Sequence, residues 1–224
     1  MTKISDFPAV TDFLDTDEFI LARSGATKKM PGSMLSGWKL DLSLDGTSVV
    51  GLTQQAGTWT SSAGEILVSP GGGVKARAYP TASIRSGVCV FEVKVKMLST
   101  GSHAGSNHIG MLVAWDGTGG SGGGLFALAC SGLTPSSNGG HYTENTQGTT
   151  VGPSDSVRFN LDTTYTLRAF VSGQAVEYYR DGTALWTTPI FAASTGGVAL
   201  HCGLYALNCD ASFDDVRIWV PTLP

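Results

Sequence analysis

The sequence predicts an all-β protein, a jelly-roll sandwich that follows a small N-terminal β-hairpin in an extended arm. Three observations favour this fold. No stretch of the 224 residues shows sustained apolar periodicity of 3.6 residues, which an amphipathic helix would need. Short apolar or alternating runs instead recur between turn-forming clusters, and glycine reaches 30 residues. Many short strands with frequent turns are typical of sandwiches and jelly rolls.

The first element is an arm in residues 1–38. Residues 17–23 form a short apolar run that ends at a Ser-Gly turn, and residues 27–30 supply a partner strand for a small hairpin. A two-stranded unit buries too little apolar surface to be stable alone. We therefore expect it to pack on its own chain, on sister subunits or on a larger assembly. A disordered arm is the alternative, but its many apolar side chains argue against that.

The larger part, residues 39–224, contains at least nine predicted strands. The best defined is Val88–Met97, in which Cys89, Phe91, Val93, Val95 and Met97 share one face and the charged residues share the other. The predicted strands are Glu65–Ser69, Val88–Met97, His108–Trp115, Leu125–Cys130, 156–160, 165–171, Ala175–Arg180, 198–204 and 213–220, with one more after residue 182.

The four cysteines contain no Cys-x-x-Cys pair, which argues against a zinc knuckle. Cys89 lies on the apolar face of its strand, and we expect Cys89, Cys130, Cys202 and Cys209 to be buried free thiols. A Cys202–Cys209 disulfide across a hairpin is the alternative.

One hairpin indicates which kind of β-sandwich the chain forms. After the strand at 165–171, a turn at Ser172-Gly173 leads into Ala175–Arg180, and Asp181-Gly182 suits the positive φ angles of a tight turn. Tyr179-Arg180-Asp181-Gly182 in this order resembles the concanavalin A-like (laminin-G-like) jelly-roll superfamily. Residues 211–219 resemble its last strand, which returns beside the first. The resemblance spans about residues 40–221, although Thr164-Tyr165 stands where the family often has Trp. It implies a fold that hosts lectins, glycosidases and structural modules alike.

The arm carries a second resemblance. It opens with Ile4-Ser5-Asp6-Phe7-Pro8, continues through residues 15–21 and 23–29, and closes with a short apolar stretch. This order resembles the N-terminal segments of tailed-bacteriophage tail fibres and other virion appendages. It implies a tail-fibre, head-fibre or decoration protein that binds other virion proteins through residues 1–38. The resemblance also implies a homotrimer that is assembled in the bacterial host cytoplasm and resides in the virion.

The sequence offers no pair of catalytic carboxylates. Glycosidases of the resembled superfamily carry Glu-x-Asp-x-x-Glu on one strand, which places acid and nucleophile about 5–5.5 Å apart, and that pattern is absent here. Asp214-Asp215 is the only adjacent acidic pair beyond the arm, and neighbouring strand residues point to opposite faces unless a bulge intervenes. We therefore predict no catalytic residues. A polysaccharide-degrading enzyme is the less favoured alternative.

A sugar-binding site needs an aromatic platform beside a few planar hydrogen-bonding side chains, usually on loops. His141, Tyr142, Glu144 and Asn145 lie together in a segment that is rich in turn formers and best fit this description. We interpret them as candidate ligands for a host-surface glycan. An ordinary loop without a ligand, in a purely structural decoration protein, is the alternative.

Trp115 and Asp116 form a further candidate at the end of a predicted strand. Trp115 shares its alternating face with Ile109, Met111 and Val113, so a core position competes with a binding role.

Charge and hydropathy exclude several other functions. The net charge of −4, from 14 basic and 18 acidic residues, is not suited to a phosphate backbone, so we expect no nucleic-acid partner. No apolar run is long enough to span a bilayer and no basic leader precedes one, so we expect no membrane insertion. No loop offers the several carboxylates that Ca²⁺ prefers, and we predict neither a metal nor a cofactor.

Overall fold

The computed structural model describes residues 20–23, 26–29, 38–81, 88–99, 107–115, 125–130, 141–145, 150–154, 160–172, 175–189 and 201–222. All the regular structure within these ranges is β, in antiparallel strands. None of these residues forms a helix that is long and apolar enough to cross a membrane.

The N-terminal hairpin is a sheet of its own. Strand β1 (Ile20–Arg23) pairs antiparallel with β2 (Ala26–Lys29), and Ile20 lies opposite Lys29. The predicted hairpin is therefore confirmed.

The sandwich consists of two sheets. The seven-stranded sheet has the order β12-β11-β10-β9-β16-β7-β4, and the eight-stranded sheet has the order β15-β14-β13-β8-β17-β6-β5, with β3 paired to β17 beside β6. The strands of the first sheet are β4 (Leu52–Gln55), β7 (Lys75–Pro80), β9 (His108–Trp115), β10 (Leu125–Cys130), β11 (His141–Asn145), β12 (Thr150–Ser154) and β16 (His201–Leu207). Those of the second are β3 (Trp38–Leu44), β5 (Thr58–Ser62), β6 (Glu65–Ser69), β8 (Val88–Met97), β13 (Thr164–Ser172), β14 (Ala175–Arg180), β15 (Thr183–Pro189) and β17 (Ala211–Pro221).

The core fills the space between the two sheets. Strand β8 contributes the five residues of its predicted apolar face, and all of them are buried. Phe213 of β17 stacks on Trp59 of β5 with ring centroids 6.0 Å apart, and the Trp59 indole N–H donates to the carbonyl of Ala56. Burial of this apolar surface is the main favourable term in folding.

The Asp-Gly turn and the last strand have the places in the sandwich that the resemblance to the concanavalin A-like superfamily implied. Asp181 and Gly182 both have positive φ, at 49° and 77°, in the hairpin between β14 and β15. The Asp181 carboxylate accepts from the backbone N–H of Thr166 at 2.8 Å, which ties this turn to the start of β13. The last strand, β17, pairs with β3, the first strand of the sandwich. The predicted all-β jelly roll is confirmed.

Glycine is required at one turn by close packing. Gly46 has a φ of 75°, and a Cβ there would lie 1.8 Å from the carbonyl oxygen of Gly64. Only glycine therefore fits between these two turns.

Several strands differ from those predicted. Residues 156–159 lie outside the described residues, and the nearest strand is β12 at Thr150–Ser154. Strand β16 extends to Leu207, three residues beyond its prediction. Strands β3, β4, β5 and β7 were not predicted, because short or weakly apolar runs such as TWTSS and KARAYP carry little periodic signal.

The cysteines of the described core are free thiols. Cys89, Cys202 and Cys209 are all buried, as predicted, and none forms a disulfide. Cys209 donates a hydrogen bond to the carbonyl of His108 at 3.1 Å. The alternative Cys202–Cys209 disulfide is therefore wrong. Cys130 lies in β10, and its side chain is outside the described residues.

Candidate functional site

The two faces of the seven-stranded sheet differ in character. Its inner face contributes Ile109, Met111 and Leu204 to the core between the sheets. The outer face has its own smaller buried cluster, in which Leu112, Tyr205 and Leu207 pack together with Tyr79 beside them. Leu112, Tyr205 and Leu207 are at most 8% exposed, so only half-buried residues at the margin of this layer, such as Tyr79, are candidates for ligand contact.

The strand register aligns a row of residues across this whole sheet. Directly opposite residues in antiparallel strands project to the same side of a sheet. Each residue in the row lies opposite the next in backbone register, and those members whose side chains are described lie on the outer face with Tyr205. From β12 to β4 the row is Ser154, Tyr142, Ala129, Gly110, Tyr205, Arg77 and Gln55.

A pair of half-buried aromatic rings lies at one end of this face. The rings of Tyr79 on β7 and His201 on β16 are 4.5 Å apart between centroids and tilted by 52°. Both residues are half-buried, so neither is closed off from solvent. Gly203 lies two residues after His201 on β16, and a Cβ there would be 2.4 Å from the carbonyl oxygen of Ala78 and 2.8 Å from the Cβ of Tyr79. The glycine allows this close packing.

Two hydroxyl groups flank this aromatic pair. Thr53 of β4 lies directly opposite Tyr79, and its Oγ1 is 3.2 Å from the Oγ1 of Thr81. Thr81 also donates to the carbonyl of Gly51 at 3.1 Å. We call Thr53, Tyr79, Thr81 and His201 the β4–β7–β16 corner. It combines an aromatic surface with hydroxyl donors and acceptors, which is the composition of a site for a polyhydroxylated ligand.

A second histidine lies at the opposite end of the same face. Burial lowers the pKa of His108 to about 4, and the nearby charge of Lys75 acts in the same direction. His108 is therefore neutral near pH 7. At this end of the outer face, His108 is a neutral ring that can form hydrogen bonds and carries no positive charge.

The structure places the four predicted ligand residues on a strand and not on a loop. His141, Tyr142, Glu144 and Asn145 all lie in β11, next to the edge strand of the seven-stranded sheet. Tyr142 belongs to the row described above, whereas His141 lies opposite Cys130 and Asn145 lies opposite Leu125. The loop interpretation was wrong because turn formers precede this segment, while the segment itself is a strand. A role in binding stays a prediction.

Trp115 lies at the same end of the sheet as the corner. It ends β9, and its backbone pairs with that of His201. The register shifts between this pair and the next, Gly203 with Leu112, so the alternation from Ile109 to Val113 is interrupted before Trp115. Asp116 lies outside the described residues. The structure therefore brings Trp115 beside His201, a residue that the sequence did not single out.

Sequence reasoning missed Tyr79 and His201. The available signal was the alternation in KARAYP, in which Ala76, Ala78 and Pro80 are buried while Tyr79 is half-buried on the other face. Alanine is too small to make such an alternation conspicuous.

The outer face of the eight-stranded sheet carries ion pairs. Arg168 of β13 pairs with Glu92 of β8, and Lys96 pairs with Glu65 at 2.7 Å. A bulge does occur at the acidic pair, where Asp215 has a φ of 47°. The Asp215 carboxylate contacts Lys94 at 2.5 Å and Arg217 at 3.3 Å. It is therefore engaged by cations, as expected of a structural residue.

The described residues contain no group of three or more His, Cys, Asp or Glu side chains that could hold a metal ion.

No family model and no curated protein matches the sequence. Solved structures do match the fold. A carbohydrate-binding module from Bacillus subtilis, CBM66, superposes with a TM-score of 0.57 at 14% identity, covering 74% of this chain and 93% of its own. The exoplasmic/lumenal domain of VIP36, in a Ca²⁺/Man-bound form, gives 0.56 at 12% identity, covering 80% and 90%.

The chain shares the jelly-roll fold of these carbohydrate-binding domains. An enzyme also appears among the similar structures. The alginate lyase Aly36B superposes with a TM-score of 0.51 at 14% identity, covering 79% of this chain and 95% of its own. At these identities the likeness concerns the fold, and function depends on the site.

Proposed function

We propose that the sandwich is a non-enzymatic carbohydrate-binding domain, which residues 1–38 attach to a bacteriophage virion as part of a trimeric fibre or decoration protein. The observation that carries the binding proposal is the β4–β7–β16 corner. It presents the tilted Tyr79 and His201 rings beside two threonine hydroxyls on a fold shared with carbohydrate-binding modules.

The chemistry of this corner suits a glycan. The apolar side of a sugar ring packs on an aromatic surface, and its hydroxyl groups exchange hydrogen bonds with Thr53 and Thr81. Trp115 pairs with His201 in the sheet and belongs to the same end of the face. Tyr142 and its neighbours in β11 extend the face toward its other edge. A polysaccharide of the host envelope is long enough to contact both parts.

The binding test measures retention of purified protein by polysaccharides from the host envelope, followed by titration calorimetry. We expect Tyr79→Ala and His201→Ala each to weaken binding by about tenfold or more, or about 1.4 kcal/mol. The matched control is Trp38→Ala, which removes a half-buried aromatic residue from the eight-stranded sheet. The centroid of its ring is 5.9 Å from that of Phe170 in the same sheet. This variant should bind like the unaltered protein.

Three outcomes would contradict the binding proposal in different ways. Failure of every envelope polysaccharide to retain the protein would leave a purely structural decoration role. An equal loss of polysaccharide binding in the Trp38→Ala variant would show that the β4–β7–β16 corner is not the binding site. Release of shortened or unsaturated saccharides would show a polysaccharide-degrading enzyme instead.

The attachment proposal needs a separate test, because it rests on the order of residues in the arm. We expect phage produced with residues 1–38 deleted from this gene to assemble particles that lack the protein, as measured by immunoblotting of purified virions. Cell lysates serve as the control and should still contain the shortened chain. Its full incorporation into particles would show that the sandwich itself makes the attachment.

A further inference from the structure

Two of the buried cysteines face each other across the core. Cys89 is on β8 of the eight-stranded sheet and Cys202 is on β16 of the seven-stranded sheet. Their Sγ atoms are 3.7 Å apart, and each residue is 1% exposed. A disulfide has an S–S length of about 2.05 Å, so closing the bond requires the two sulfurs to approach by less than about 2 Å.

We propose that Cys89 and Cys202 are an oxidisable pair that closes into a disulfide between the two sheets. The oxidant is a small-molecule disulfide. One cysteine thiolate attacks it, which forms a mixed disulfide and releases one thiolate. The second cysteine thiolate then attacks the protein sulfur of the mixed disulfide, which forms the Cys89–Cys202 bond and releases the other thiolate. Two protein thiols are oxidised, one external disulfide is reduced to two thiols, and the two protons pass to the released thiolates.

The other two cysteines do not compete with Cys89 or Cys202 in forming this disulfide. Cys209 is seven positions from Cys202, near the opposite end of the sheet, and is engaged with the carbonyl of His108. Cys130 lies on β10, two strands from β16 in the same sheet, a distance of about 10 Å at the usual strand spacing. Cys89 and Cys202 are therefore the two cysteines that the fold places close enough to form a disulfide.

The folded core controls when the pair reacts. Hydrogen bonding between the two thiols raises the pKa of Cys89 well above its usual value, and burial acts in the same direction. Because the thiolate is the attacking species, the closed sandwich protects the reduced pair. Oxidation therefore requires local opening of the core, or occurs while the two sheets come together during folding.

The bond would connect residues 113 positions apart in the chain. A cross-link over so long a segment reduces the conformational freedom of the unfolded chain substantially, provided the native geometry accepts it. It would also hold β8 against β16, which are interior strands of the two sheets. The expected result is a sandwich that resists unfolding more strongly after oxidation, whether or not it binds a ligand.

The test oxidises the reduced full-length protein with oxidised glutathione in urea just below its unfolding midpoint, where the core opens often. Peptide mass spectrometry should find residues 89 and 202 linked. After removal of urea and renewed titration, the unfolding midpoint should be higher by about 1–2 M. A reductant should reverse this shift.

Three variants complete the experiment. Cys89→Ala and Cys202→Ala should each abolish the shift, whereas Cys209→Ala should keep it. If a core variant fails to fold, the peptide map of the unaltered protein still decides the proposal. A different linked pair, four unmodified thiols after oxidation, or a linked protein without the shift would each overturn it.

Discussion

Replacing Glu92 by alanine should lower the free energy of unfolding by about 3 kcal/mol, measured by urea titration. Glu92 is 6% exposed and lies directly opposite Arg168, whose Nε donates to its carboxylate at 2.6 Å. The Arg168 side chain is only 16% exposed in the folded protein, and the substitution removes the carboxylate that it contacts. A largely desolvated charge that loses its ion-pair partner is among the most destabilising defects in a folded protein.

Glu65→Ala is the matched control. Glu65 also pairs with a cation on β8, but its side chain is 32% exposed. Exposed ion pairs contribute little, so this variant should lose no more than about 1 kcal/mol. The double variant Glu92→Leu/Arg168→Leu should recover much of the stability lost by Glu92→Ala, because neither charge remains. Equal losses for Glu92→Ala and Glu65→Ala would show that burial does not determine the effect.

Replacing Phe213 by alanine should cost about 3–5 kcal/mol in the same titration. Phe213 is fully buried in β17 between Val95 of β8 and Ile66 of β6, and its ring stacks on Trp59. Truncation removes apolar contacts and opens a cavity that the surrounding strands cannot readily fill.

The exposed Val50 provides the contrast for the core substitution. Its side chain is 81% exposed, so Val50→Ala should change the free energy of unfolding by less than about 0.5 kcal/mol. A loss of under about 1 kcal/mol for Phe213→Ala would mean that the core repacks around the missing ring.

The outer faces of the two sheets differ in chemistry. On the eight-stranded sheet, the described charged residues of the outer face are largely engaged in ion pairs, which suits a structural surface. On the seven-stranded sheet, the outer face carries aromatic residues and the β4–β7–β16 corner. This difference is the reason for which we place the proposed glycan site on the seven-stranded sheet.

The sequence predicted most strongly those elements whose signal is local. Val88–Met97 was predicted with its correct bounds because alternation over ten residues is an unambiguous strand pattern. The Asp181-Gly182 turn was also predicted, since both residues tolerate the positive φ that a tight hairpin requires. These features depend only on neighbours in the chain.

The candidate site was predicted less well because its members are distant in sequence. Tyr79 and His201 are 122 positions apart, and only the pairing of β7 with β16 brings their rings together. Local composition likewise assigned His141–Asn145 to a loop, although pairing with β10 and β12 makes this segment a strand. Strand pairing depends on tertiary context more than on the propensity of the segment itself.

By itself the sequence determined that this protein is an all-β jelly roll with an N-terminal hairpin, because strand alternation and turn chemistry are set by adjacent residues. Only the tertiary structure decided which residues share a face. It placed Trp115 beside His201, Tyr142 in one row with Tyr205, and Cys89 against Cys202. The physical reason is that antiparallel pairing and sheet packing join segments far apart in the chain, and their register is fixed by burial of the whole core.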